Sequence, residues 1–188
     1  MPSDDTSTSR YDALVIGGGP AGATAALVMA RQGLAVRLCE RARFPRFHIG
    51  ESFLPANLEL IRGLGLEPAL RELPQIEKLG VEFVLGHGRQ GQMFSFADGL
   101  VGSSLTFNLA RAPFDAMLLD AAAAAGVEAS RELGVRRIVR LAEGAVEVEA
   151  DDGERIAARA VIDASGQSTV LGKHLGIRRT LEDHRKIA

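Results

Sequence analysis

The residues best placed to do chemistry are the glycines of Gly17-x-Gly19-x-x-Gly22, which follow directly on the apolar run Ala13 to Ile16. Each glycine answers a separate need: Gly17 makes a tight turn, Gly19 lets backbone approach a pyrophosphate, and Gly22 lets a helix sit close to a strand. Phosphates then meet free N–H groups at the positive end of that helix. A second apolar run, Leu34 to Cys39, ends in Glu40, 18 positions beyond Gly22, where a carboxylate accepts hydrogen bonds from a ribose. Strand, glycine turn, helix and acid in that order predict a dinucleotide site.

Two further segments join it. Val161-Ile162-Asp163-Ala164-Ser165-Gly166 repeats the same physics, an apolar strand opening into a loop at an acid and a glycine. Ligands of open α/β sheets sit beyond the carboxyl ends of strands. Asp163 there can accept from a hydroxyl or order water near phosphate, and Gly166 lets backbone come close. The loop Phe44-Pro45-Arg46-Phe47-His48-Ile49-Gly50-Glu51-Ser52 carries two aromatic–basic couplets, and Ser52 stands where it could cap a following helix and face an anion. His87, His174 and His184 lack metal-ligand spacing, so no metal site is predicted.

The elements that must position these residues follow from periodicity. Strands are expected at 11–16 and 34–40 around a helix at 20–32, then a helix from Leu54 and a short one at 67–72. Lys78 falls in a loop after them. Three strands, at 81–85, 92–96 and 104–107, form an excursion. A helix runs from Pro113, whose fixed φ suits a first helical position, to Ala125. A short strand at 127–129 precedes a meander at 133–141, 144–150 and 155–163, with hairpin signals at Glu143-Gly144 and Asp151-Asp152-Gly153. The fold class is α/β: a mixed nucleotide-binding sheet, a three-stranded β-meander and part of an inserted β-layer. Residues 11–79 and 110–188 make the nucleotide-binding domain, 80–109 begin a substrate-binding layer, and 1–10 are a disordered lead-in.

Composition narrows the function classes. A net charge of −2 over 188 residues offers no basic patch for nucleic acid. The single cysteine, Cys39, excludes an internal disulfide and reads as a core residue. No apolar run reaches the roughly 18 residues of a membrane span, and the polar start is no signal peptide, so a cytoplasmic protein is expected.

Taken together, the glycine motif, Glu40, Phe44-Pro45-Arg46-x-His48-Ile49-Gly50-Glu51-Ser52-x-Leu54-Pro55, Arg111-x-x-Phe114-Asp115 and Asp163-Ala164-Ser165-Gly166 resemble FAD-dependent halogenases and their monooxygenase-like relatives. The resemblance runs from Tyr11 to about Ala188. It implies a Rossmann-like FAD/NAD(P)-binding fold with FAD as cofactor, held by Gly17, Gly19, Pro20, Ala21, Gly22, Glu40, Arg41, His48, Ile49, Gly50, Glu51, Ser52, Arg111, Asp163 and Gly166. It also implies flavin reduced by a separate NAD(P)H-dependent reductase, oxidation of halide at the expense of dioxygen, and hypohalous acid travelling to a lysine beside a small aromatic or carrier-bound substrate. The matching lysine is Lys78, the one catalytic residue implied. The family usually has an aromatic residue three positions earlier, where this chain has Gln75.

Family members continue past this length, with a Gly-Asp segment for the ribityl–phosphate part of the flavin and, in halogenases, a Trp-x-Trp-x-Ile-Pro segment. This chain has no tryptophan and reaches Lys186-Ile187-Ala188, the expected opening of a further strand. The resemblance is thus to the N-terminal portion of such an enzyme, holding the ADP half of FAD better than the reactive half. A catalytically incomplete FAD-binding module and a geranylgeranyl-reductase-like flavin enzyme stand as alternatives.

Overall fold

A computed structural model describes residues 11–84, 86, 91–99 and 105–179. The expectations for the lead-in 1–10, for Ser104, His87 and His184 and for a strand opening at Lys186 lie outside the described residues. The chain divides into two compact units, one made of the chain up to Arg46 together with the chain from Leu118 onward, the other Phe47–Met117. These divisions fall at other places than the domain boundaries expected at 79/80 and 109/110. Among the described residues no helix is long and apolar enough to cross a membrane.

The first unit is a six-stranded sheet in the order β7-β2-β1-β10-β9-β8, where β1 is Tyr11–Ile16, β2 Val36–Glu40, β7 Glu128–Arg131, β8 Val135–Ala142, β9 Ala145–Ala150 and β10 Arg155–Asp163. β7, β2, β1 and β10 run parallel, and β10, β9 and β8 form the antiparallel meander. The apolar run of β1 has its reason here: Leu14 and Val15 are fully buried because the strand is central, with a parallel partner on each side. Helix α1 (Pro20–Arg31) buries Gly22, Ala23, Ala26 and Leu27. Leu14, Ile16, Cys39, Ile138, Val148 and Ile156 form one continuous core, against which Val170 and Leu171 of the short helix α5 (Val170–His174) pack. Burial pushes the Cys39 thiol up to about 11, which leaves it an inert core residue.

The second unit holds helices α2 (Pro55–Gly63) and α3 (Glu67–Arg71) and two small sheets. The excursion at 80–109 does not stay together. β4 (Gly80–Phe83) pairs with β5 (Gln92–Ser95), while β6 (Thr106–Leu109) pairs antiparallel with β3 (Gln75–Lys78). β3 was expected as loop. Its four residues, Gln-Ile-Glu-Lys, carry no apolar run, and Ile76 is 72% exposed, so only the ladder to β6 defines it. Lys78 therefore sits on a strand opposite Thr106, not in a loop. Two helix starts also differ. Helix α4 (Arg111–Ala124) begins two residues before Pro113, which lies in the first turn where its missing N–H is not needed. At α2 the cap position is Leu54, whose N–H is accepted by Asn57 Oδ1 at 3.0 Å, so Ser52 does not cap it.

Candidate functional site

In the first unit, parallel register brings three distant segments to one end of the sheet. Ile16 pairs with Cys39 on one side and with Asp163 on the other, so Gly17, Glu40 and Ala164 stand side by side at the ends of their strands. Two backbone bonds fasten them: Gly17 N–H donates to the Cys39 carbonyl at 2.8 Å, and Ala164 N–H to the Ile16 carbonyl at 2.9 Å. The glycines are required by what surrounds them. Gly17 has φ +104°, and a Cβ there would lie 2.4 Å from the Ala164 carbonyl oxygen. A Cβ on Gly22 would lie 1.9 Å from the Gly17 carbonyl oxygen, backbone against backbone.

Helix α1 starts from Gly19 with Pro20 in its first turn, no side-chain cap and no acidic residue beside it. Its first-turn N–H groups, those of Ala21 and Gly22 included, have no intrahelical acceptor, and the end is electropositive. Among the described residues, the group nearest a Cβ placed on Gly19 is Arg46 Nη2, at 3.3 Å. The Arg46 guanidinium stacks 5.1 Å from the Phe44 ring, and that of Arg131 stacks 5.7 Å from the same ring. Sequence reasoning gave Arg46 no role, although the aromatic–basic couplet Phe44-Pro45-Arg46 was its signal.

Glu40 is 5% exposed; its Oε2 accepts from Gly18 N–H at 2.6 Å and its Oε1 from Ala42 N–H at 2.7 Å. The carboxylate thus shapes the glycine turn itself, and each oxygen keeps acceptor capacity for a hydroxyl. Asp163 is spent on its own loop. Its Oδ1 accepts from Ser165 N–H at 3.0 Å and from Ser165 Oγ at 2.5 Å, and its Oδ2 from Leu171 N–H at 2.7 Å. Burial alone would raise its pKa, but these bonds and one from Gly172 N–H hold it below the usual carboxylate value. Gly166, at φ +59°, opens the turn 166–168, and none of the described residues lies within 4 Å of a Cβ there. Arg41 is exposed beside the end of β2.

The second unit gathers a different set. Residues 51–53 lie along β6: Leu109 N–H donates to the Glu51 carbonyl at 3.0 Å, Phe53 N–H to the Phe107 carbonyl at 3.1 Å, and Ser52 bridges Asn108. Arg111 grips Asp115, which is fully buried, through Nε–Oδ1 at 2.8 Å and Nη2–Oδ2 at 3.0 Å. Its Nη1 donates to the Ile49 carbonyl at 3.2 Å and would stand 2.9 Å from a Cβ on Gly50, whose φ is +116°. Asp115 was legible as the i,i+4 partner of Arg111 but was given no role. Lys78 Nζ donates to Ser52 Oγ at 2.8 Å. His48 is exposed and its Nδ1 lies 2.7 Å from the neighbouring Ile49 carbonyl oxygen.

The donor set of the first unit fits FAD: backbone N–H groups and a guanidinium where a pyrophosphate would lie, and a carboxylate at the end of β2 for ribose hydroxyls. Residues 10–187 match the family described as FAD binding domain. The chain is 31% identical to the 1H-pyrrole-2-carbonyl-[peptidyl-carrier protein] chlorinase of Pseudomonas fluorescens, over 89% of this chain and 42% of that protein. It superposes on the flavin-dependent halogenase CmlS with a TM-score of 0.83 and 30% identity, covering 93% of this chain and 32% of that one. A flavoprotein/dehydrogenase from Cytophaga hutchinsonii gives a TM-score of 0.79 and 34% identity, over 91% of this chain and 43% of that one. In each case the chain spans less than half the length of the protein it matches.

Proposed function

We propose, from the premise that this chain belongs to the FAD binding domain family, that it is the FAD-binding portion of a flavin-dependent halogenase. The observation that carries the reading is the convergence of Gly17, Glu40 and the Asp163 loop at the carboxyl ends of three adjacent parallel strands, beside an uncapped helix N-terminus. The cofactor is FAD. When bound and reduced, it supplies the electrons that let dioxygen oxidise a halide.

This chain's residues bind and orient. The N–H groups of Gly19, Ala21 and Gly22, with Arg46, hold the pyrophosphate. Pro20 starts the helix without competing for it, and Glu40 accepts from the adenosine ribose with Arg41 beside it. Asp163 and Gly166 act by holding the loop against which Gly17 turns. In the second unit Asp115 fixes Arg111, which in turn holds the Ile49 carbonyl and so the loop of His48, Ile49, Gly50 and Glu51. The segment 80–109 begins the substrate-binding layer.

Lys78 is the catalytic residue of the reading. Its ammonium donates a hydrogen bond to hypohalous acid and aims the halogen at the substrate. The halogen replaces a hydrogen on carbon, and that hydrogen leaves with the hydroxyl as water. A small aromatic or carrier-bound substrate is supported by the pyrrolyl carrier-protein chlorinase among the relatives. A separate NAD(P)H-dependent reductase supplies reduced flavin, which suits a cytoplasmic protein. In the protein carried to the length of its relatives, Lys78→Ala should abolish halogenation in the presence of reductase, NADH and halide while FAD stays bound. Halogenated product at the wild-type rate would contradict the reading.

A further inference from the structure

Lys78 is pinned in place without being neutralised. Its Nζ donates to Ser52 Oγ at 2.8 Å, approaches the Phe53 carbonyl at 3.4 Å and lies 5.3 Å from the centroid of the Phe96 ring. All three partners are uncharged. In the same unit Arg62, Arg71 and Arg111 each pair with a carboxylate, whereas among the described residues no carboxylate lies within ion-pair distance of Lys78. A long, flexible ammonium side chain ordinarily gives up rotamer freedom to hold one geometry only where its partners are fixed.

Two of those partners, Ser52 and Phe53, are fixed by a single strand. β6 carries the ladder to β3 that places Lys78 opposite Thr106, and on its other edge it carries the segment 51–53. Ser52 is therefore strapped on both flanks to the strand that also sets Lys78. Phe96 is tied to the same neighbourhood, since its N–H donates to the Leu79 carbonyl at 2.9 Å. Register, not side-chain chance, sets the Ser52–Lys78 distance. A hydroxyl that accepts from an ammonium keeps its own proton free to donate.

We propose that Ser52 is the positioning residue of Lys78. Its hydroxyl holds Nζ at one point in front of the Phe96 ring, leaves the positive charge uncancelled, and offers its own O–H as a second donor. Together the two groups seat a small oxyanion or polarised oxygen acid of the hypohalite class. The seat rests on Lys78 acting as proposed above; the positioning itself does not.

Competitive acetylation with trace acetic anhydride tests it, with Lys78 read by mass spectrometry against the exposed Lys173 of α5 as internal reference. In Ser52→Ala the Lys78/Lys173 labelling ratio should rise about fivefold, the factor expected for one lost hydrogen bond. Ser52→Thr, which keeps the hydroxyl, should return the ratio to the wild-type value. Thermal melts of all three proteins report whether the second unit is intact. An unchanged ratio in Ser52→Ala, or an equal rise in Ser52→Thr, would overturn the assignment. The labelling needs neither flavin nor halide, so its failure is distinct from failure of the halogenase reading.

Discussion

Two glycine-centred turns, one in each unit, are built on different terms. Gly17 and Gly22 of the first unit face backbone: a Cβ would meet carbonyl oxygens at 2.4 and 1.9 Å. Among the described residues, Gly50 of the second unit faces the tip of Arg111 alone, at 2.9 Å. Backbone held by three adjacent strands cannot give way, whereas a guanidinium can swing. The first turn is thus a seat whose shape is the fold itself. The second is closed by a side chain, Arg111 held on Asp115, rather than by backbone.

The largest expected effect follows from that contrast. Gly22→Ala should cost about 3 kcal/mol, at the upper end for overpacking, because the new methyl meets main chain that has nowhere to move. Gly50→Ala should cost about 1–2 kcal/mol, mostly for its left-handed backbone. Urea denaturation followed by circular dichroism compares the two, and equal costs would erase the distinction between the turns.

Glu40→Ala comes next and sharpens the claim that one carboxylate serves both turn and ligand. Losing its charge-assisted bonds to Gly18 and Ala42 should lower stability by about 1.5–3 kcal/mol. In the folded variant the dissociation constant for FAD should rise about tenfold. Lower stability with unchanged flavin affinity would make Glu40 a purely structural acid.

Much of this was legible in the sequence because the signals were local. The parallel strands, α1 and the meander follow from apolar runs and turn residues within a few positions, and the motifs stand at strand ends where the topology needs them. What was hidden depended on pairing. β3 has no pattern of its own, so Lys78 read as loop. Ser52 looked like a helix cap until the ladder of residues 51–53 to β6 turned it toward Lys78. Asp163 looked like a ligand residue, yet Ser165 and Leu171, two and eight positions on, occupy its carboxylate.

That occupancy gives the smallest predicted effect. The folded-state pKa of Asp163 lies below the ordinary 3.8, so between these values the unfolded chain takes up a proton that the native state refuses. Stability from this group is complete above the ordinary value and is lost as pH falls through the folded one. Asp163→Asn should flatten the acid limb of stability against pH and run parallel to wild type above about pH 5. An unaltered acid limb would show that the loop does not depend on the charge.

The central claim, that the turn of the first unit is a seat for FAD, is tested most directly by isothermal titration of the purified chain with FAD, ADP and NAD under one set of conditions. The account predicts that FAD and ADP bind and that both bind more tightly than NAD. NAD binding as tightly as FAD, or more tightly, would contradict it.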